Sequence, residues 1–289
     1  MSAAAQKVDH GLTAILARHP APHTPWTESY VSQQRELVGA LLDSTEARAL
    51  METGDALPPG YGRGFDERVV EFPWLLARRP RGRVLDAGSS LNHEHILDRF
   101  QPLVDDLTIT TLAPEERAFP LRGISYVYAD FRDLPFRDAL FDTIVSISSL
   151  EHVGMDNQFY GASDEGGRDP RGALEAALAE LRRVLAPGGR LLVSVPYGAR
   201  EDHGGFRQFD LDDVAHLVAR SGLEQQRLDV YRYTAGGWER SDLGGAAGAV
   251  YRDFLADSSP VADLAAAARA IACIELGGAS GHAAPTQPA

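Results

Sequence analysis

The hydrophobic positions change period near residue 80, and the change divides the chain. Ahead of it, apolar residues recur at helical spacing. Tyr30, Leu37, Leu41 and Leu42 predict a helix over 27–42, and Asp43-Ser-Thr-Glu46 resembles a capping box opening a second helix that Gly54 closes. Two prolines and three glycines between Leu57 and Gly64 form a hinge-like loop. It leads into an apolar segment, Phe65 to Arg79, that carries Val69, Val70, Phe72, Trp74, Leu75 and Leu76. Residues 1–23 show no clear periodicity and read as a loose arm. Residues 1–80 are therefore expected to form an arm and a helical cap.

From Arg83 onward short β-rich runs alternate with helical stretches, the rhythm of strand-helix-strand units and a parallel sheet. The runs Arg83–Asp86, Leu107–Thr111, Ile124–Tyr128, Phe141–Ile147 and Arg190–Val195 read as strands. Between the last two, Leu174, Ala177, Leu178, Leu181 and Leu185 mark an amphipathic helix ended by Pro187-Gly-Gly189. A second helix is predicted over Leu211–Ser221, stopping at Gly222. Leu223–Tyr233 and Ala270–Leu276 read as the final strands, separated by a Gly- and Ala-rich insertion near 234–269 in which 261–269 is a helix candidate. The second unit so defined runs from 81 to 276, and the Gly-, Ala- and Pro-rich residues 277–289 are expected to be a disordered tail.

Composition narrows the partners. With 44% hydrophobic and 24% charged residues the chain lies in the globular range. Forty-one acidic against 28 basic residues give a charge of −13, which repels a phosphate backbone and argues against nucleic-acid binding. No run of about 18 apolar residues is available to span a membrane, and no signal-peptide pattern opens the chain, so a soluble cytoplasmic protein is expected. The single cysteine, Cys273, excludes an intramolecular disulfide and a Cys-based zinc cluster; its apolar neighbours suggest a buried thiol.

In sheets of this kind ligands bind beyond the carboxyl ends of the strands, so residues just after each strand carry the candidate chemistry. After the first strand, Asp86 offers a carboxylate for an ammonium group and Gly88 lets backbone pass close to a ligand. A dinucleotide fingerprint would need Gly-x-Gly-x-x-Gly, of which only Gly88 is present, and NAD is demoted. After the third strand Asp130 is placed to accept from an exocyclic amine, and Phe131 supplies apolar surface. After the fourth, Ser148-Ser-Leu-Glu-His152 brings polar groups into the cleft.

Taken in order, Val-Leu-Asp-Ala-Gly, Ala-Asp, Phe-Asp-Thr-Ile-Val-Ser, Leu-Glu-His-Val and Leu-Arg-Arg-Val-Leu-Ala-Pro-Gly-Gly resemble the class I S-adenosylmethionine-dependent methyltransferases, especially their type 11-like small-molecule branch. The resemblance covers about residues 80–233 plus the last strand. It implies an α/β, Rossmann-like, seven-stranded mostly parallel sheet with helices on both faces, here with the N-terminal helical cap added, and S-adenosylmethionine as cofactor. It further implies that Asp86 holds the methionine moiety, that Ala87, Gly88 and Ser89 line its path, and that Asp130 and Phe131 meet the adenine. Ser148 is included in the cofactor pocket. Ser90 and Asn92 stand where the second and third glycines usually fall, and Thr111 stands where a carboxylate usually grips the ribose. A hydroxyl makes only a neutral hydrogen bond there; Glu115 and Glu116 lie nearby as substitutes.

Methyl transfer to oxygen requires removal of a proton, and His152, with an ordinary pKa of about 6.5, is the base candidate. Glu151 is assigned to shaping the pocket. The long segment after it suggests a lid, with Asn157 and Tyr160 binding a hydroxylated acceptor of sugar or secondary-metabolite type; beyond the fifth strand His203 and Arg207 are further substrate contacts. No metal is expected, since His93 and His95 point to different sides of a helix, and His152 with Asp156 is a weak magnesium set. The reading is a methyltransferase acting on a small, hydroxylated acceptor, O-methylation favoured. Its alternative, motivated by Ser90, Asn92 and Thr111, is a methyltransferase-like protein that binds without efficient turnover.

Overall fold

The computed structural model describes residues 11–21, 24–158 and 169–278. The segment read as a loose arm contains a short helix, α1 (Leu12–Arg18), because Leu12 and Ile15 find a buried face and the Leu12 N–H donates to Glu46 at 2.7 Å. Helix α2 (Glu28–Asp43) is capped by Thr27, and α3 (Thr45–Thr53) by Ser44, whose hydroxyl accepts from the Ala47 N–H. Gly54 ends α3 at φ +78°, a conformation open to glycine at little cost. The capping box expected from Asp43 to Glu46 does not form: the cap is Ser44, one residue later, and Glu46 accepts from the Leu12 N–H of α1.

Helix α4 (Arg68–Ala77) is buried at every position after the first and contains Pro73. A proline inside a helix leaves the carbonyl four residues earlier without its amide. That carbonyl belongs to Val69, and the buried Tyr61 hydroxyl donates to it at 3.0 Å.

The strands β1 (Arg83–Ala87), β2 (Asp106–Thr111), β3 (Ser125–Tyr128), β4 (Phe141–Ile147) and β5 (Leu185–Pro196) are joined through α5 (Glu94–Phe100) and α6 (Pro170–Val184). A small hairpin, β6 (Glu201–Asp202) with β7 (Arg207–Gln208), precedes α7 (Leu211–Ser221), β8 (Glu224–Thr234), β9 (Gly237–Ser241), the short α8 (Leu243–Ala246) and β10 (Ala270–Gly277). The main sheet has the order β3-β2-β1-β4-β5-β10-β8-β9; neighbours from β3 to β5 are parallel, and β10 lies antiparallel between β5 and β8. The sheet therefore has eight strands where seven were expected. The addition, β9, falls at the start of the presumed insertion, where Trp238 is buried and its indole N–H donates to the Phe65 carbonyl at 3.0 Å.

Residues 261–269 do not form the expected helix. Asp263 closes the segment on Arg269 at 2.8 Å, the Ala268 N–H goes to Glu67 rather than to a preceding turn, and the Ala267 carbonyl accepts from Arg252. Helix α6 ends at Val184, and Leu185-Ala-Pro-Gly-Gly already belongs to β5, looping out of register opposite Phe141.

Side chains alternate across the sheet as the strand period requires. Val84, Val145 and Leu192 face the cap, whereas Leu85, Ile144 and Leu191 face α6 and α7. Cys273 is a buried free thiol in the cap-side layer, and burial pushes its pKa well up. Among the described residues no helix is long and apolar enough to cross a membrane.

Candidate active site

A cavity of about 260 Å³ opens at the carboxyl ends of β1, β2, β3 and β4. Of the sequence-predicted residues, Gly88, Ser89, Thr111, Asp130, Phe131, Ser148, His152 and Asn157 all line it. Chain positions spread over seventy residues meet there because parallel strands place every β-to-α turn on one edge. Gly88 sits at φ +121°, and a Cβ there would lie 2.0 Å from Ser149 Oγ, so only glycine lets the turn after β1 pack this closely on the turn after β4. Ser89 and Ser148 adopt positive φ, +60° and +42°, without being glycine. Such backbone persists where the surroundings hold it, and it clusters at functional sites.

Asp86 and Ala87 do not line the cavity. Ala87 is fully buried in the sheet, and the Asp86 carboxylate accepts from Ser90 Oγ at 3.0 Å and from the Leu91 N–H at 2.8 Å. Burial dominates its ionisation and raises the pKa to about 7 despite those bonds. Asp86 thus fastens the loop after β1 from behind, instead of presenting its charge to a ligand.

The departures from glycine in that loop have partners. Ser90 is the residue bonded to Asp86. Asn92 donates to Glu115 at 2.9 Å and to the Arg117 carbonyl at 2.8 Å, and accepts from the Tyr126 hydroxyl at 2.9 Å. Ser89 Oγ donates to the same Glu115 oxygen at 2.8 Å. Ser89 and Asn92 therefore tie the loop after β2 to the loop after β1 through Glu115.

At the end of β3, Asp130 is gripped by Arg132, with the closest contact 2.6 Å. Burial pushes the Asp130 pKa up, but the Arg132 side-chain and backbone bonds outweigh it and leave the group below the usual carboxylate range. Arg132 also lines the cavity, a residue that strand-end reasoning passed over although it stands two positions from Asp130.

His152 occupies the turn after β4, its Nδ1 2.8 Å from the Gly205 carbonyl. A carbonyl only accepts, so Nδ1 carries the proton, and the neutral ring has its basic lone pair on Nε2. Burial lowers the His152 pKa; the Gly205 bond opposes this and the charge of Arg68 reinforces it. Asn157 spends both amide donors on the carbonyls of His152 and Met155, leaving Oδ1 buried without a partner among the described residues. Glu151 is buried behind the turn, where desolvation raises its pKa well above the ordinary value.

His203 and Arg207 do not line the cavity. The β6–β7 hairpin stacks His203 on Phe206, 4.5 Å between ring centroids, with Nδ1 3.4 Å from Asp253. It lays the Arg207 guanidinium 4.8 Å over the ring of Phe209, which is a core residue. Tyr160 lies outside the described residues.

The cap contributes what the sequence reading missed. Arg68 lines the cavity and pairs with Glu71 at 2.7 Å. Glu71, fully buried, also accepts from Ser148 Oγ and Ser194 Oγ, each at 2.6 Å. The available signal was one carboxylate inside the apolar run Val-Val-Glu-Phe-Pro-Trp-Leu-Leu; buried acids of this kind are rare unless paired.

Residues 88–193 match the model of a family described as a methyltransferase domain. The chain is 28% identical over 194 residues to the ubiquinone/menaquinone biosynthesis C-methyltransferase UbiE of Teredinibacter turnerae, covering 63% of this chain and 68% of the relative. It is 28% identical over 133 residues to the 27-O-demethylrifamycin SV methyltransferase of Amycolatopsis mediterranei, covering 41% and 42%. Among solved structures, the Burkholderia thailandensis 1,6-didemethyltoxoflavin-N1-methyltransferase, with its acceptor and S-adenosylhomocysteine bound, aligns with 71% of this chain and 74% of its own at 18% identity and a TM-score of 0.44.

Proposed function

We propose that this chain, a class I S-adenosylmethionine-dependent methyltransferase, transfers the methyl group to an oxygen of a small hydroxylated acceptor, with His152 as general base. The observation that carries the proposal is the His152–Gly205 bond, which directs the basic lone pair to Nε2 of a ring lining the same cavity as the strand-end loops.

The residues fit the cofactor. Phe131 gives the adenine an apolar border, Asp130, held below the usual carboxylate range, remains an ionised acceptor for its amine, and Gly88 and Thr111 line the same cavity, Thr111 for the ribose hydroxyls. When bound, S-adenosylmethionine supplies a methyl group made electrophilic by its sulfonium. The protein's part is to hold the acceptor oxygen in line with that methyl and remove its proton. Positioning of this kind is worth up to roughly 7–11 kcal/mol, and a placed base a further factor of about 10² to 10⁴. Because His152 is neutral at pH 7, it is ready to take the proton, while Asn157 Oδ1 accepts from a second hydroxyl of the acceptor.

One relative is named for a carbon acceptor and another for an oxygen-demethylated substrate, so the test must identify the atom. Incubation with methyl-¹³C-labelled cofactor and a panel of phenols, polyols and sugars, read by NMR, is expected to give a methoxy carbon signal. A C-methyl signal, or turnover by His152→Ala equal to wild type at every pH, would overturn the assignment.

A further inference from the structure

Ser148 adopts φ +42° at the end of β4, on the cavity wall. Three bonds hold it. Its N–H goes to the Ser194 carbonyl at 3.0 Å and also lies 3.2 Å from Ser194 Oγ, and its hydroxyl goes to Glu71 at 2.6 Å. The same oxygen of Glu71 takes the Ser194 hydroxyl, and its other oxygen takes Arg68. A serine hydroxyl has one proton. With that proton committed to Glu71, Ser148 Oγ has only lone pairs left for a ligand, and a carboxylate directly behind it makes those lone pairs more negative.

We propose that Glu71, supplied by the N-terminal cap, is a positioning residue for the cofactor: it converts Ser148 into an obligate acceptor that selects the α-ammonium group of the methionine moiety. This rests on the cofactor reading above and deepens it, since it makes the cap part of the binding site and gives Ser148, rather than Asp86, the ammonium. Arg68 enforces the polarity. In Glu71→Gln the amide oxygen would stay with the Arg68 donor and the amide nitrogen would face the two serines. Both hydroxyls would then accept, and the Ser148 proton would turn into the cavity, opposing an ammonium.

The test is calorimetry with S-adenosylhomocysteine and its deaminated analogue, in which hydrogen replaces the α-amino group. Wild type should prefer the parent compound at least tenfold. Glu71→Gln should reduce that preference to within about twofold, mainly by weakening the parent compound. Ser148→Gly, which removes the hydroxyl and tolerates the positive φ, should do the same and serves if Glu71→Gln does not fold. A preference that persists in both variants, or equal weakening of both compounds, would overturn the proposal. Wild type binding the two compounds equally would overturn it while leaving the cofactor reading intact; binding neither would remove that reading itself.

Discussion

Trp74 and Asp229, 155 residues apart in the chain, meet in the core, where the indole Nε1–H donates to the carboxylate at 2.9 Å. Asp229 also accepts from Arg227 and Arg240 and is 1% exposed. The bond joins α4, which carries Arg68 to the cavity and Glu71 to Ser148 behind it, to the sheet, so the cap is fixed relative to the strand ends.

Removing that acceptor should loosen the cap. Asp229→Ala leaves two arginines without their shared partner and is expected to cost about 3 kcal/mol, the lower end for a broken buried pair; Trp74→Phe leaves the arginines paired and should cost about 1.5 kcal/mol beyond packing. Burial pushes the Asp229 pKa up, but the bonds from Arg227, Trp74 and Arg240 outweigh it and hold it below the ordinary value. Its contribution is therefore present above the unfolded pKa of about 3.9 and disappears as pH falls through the lower folded value. Denaturant melts at pH 7 and pH 3 check both points: Asp229→Ala should differ from wild type less in acid, and equal deficits would contradict the ion-pair account.

Gly88→Ala should fold and fail to bind. The new methyl meets Ser149 Oγ at 2.0 Å in a backbone conformation that L residues avoid. The thermal shift caused by saturating S-adenosylhomocysteine, about 2.7 kcal/mol of stabilisation at 100 times Kd for wild type, should vanish. A retained shift would place the ligand elsewhere.

As the proposed base, His152 is expected to set the acid limb of activity. Burial lowers its pKa, so the ring stays neutral further into acid than a free histidine, and kcat/KM should fall with a midpoint below 6.5. His152→Gln should lose about 10² to 10⁴ of kcat and lose that limb with it. A midpoint above 6.5 would contradict the base assignment.

Asp86 should oppose stability at neutral pH. Burial raises its folded pKa to about 7, so the unfolded chain releases the proton first and stability declines as pH rises from about 4 to 7. Asp86→Asn keeps an acceptor for the Leu91 N–H and removes that decline. Its melting temperature should match or exceed wild type at pH 8 and show a smaller advantage at pH 4; a large loss at pH 8 would show that the negative charge itself secures the loop.

The strand-end residues were legible because the signals that place them are local. A β-rich run followed by Gly88, by Asp130-Phe131 or by Ser148 states both the strand and its end, and the parallel topology does the assembly. Arg132 and Asn157 stand equally near strand ends and both line the cavity, but only Asn157 was singled out, as an acceptor contact, and its amide donors turn instead to the His152 and Met155 carbonyls. The ninth labelled strand and the irregular 261–269 were not legible, since Gly237–Ser241 becomes a strand by pairing with β8 and the alanines give up a helix for Glu67 and Arg252.

By itself the sequence determined the alternating sheet, the helical cap and the class of chemistry, because periodicity, turn residues and short motifs act over a few residues. Only the tertiary structure decided which side chains face the cavity: Asp86 turned back to its own loop, His203 and Arg207 drawn onto aromatic rings, Glu71 carried across 77 residues to Ser148. Orientation of that kind is set by competition among buried hydrogen-bond partners, each of which must be satisfied once water is excluded, and those partners become neighbours only when the chain has folded.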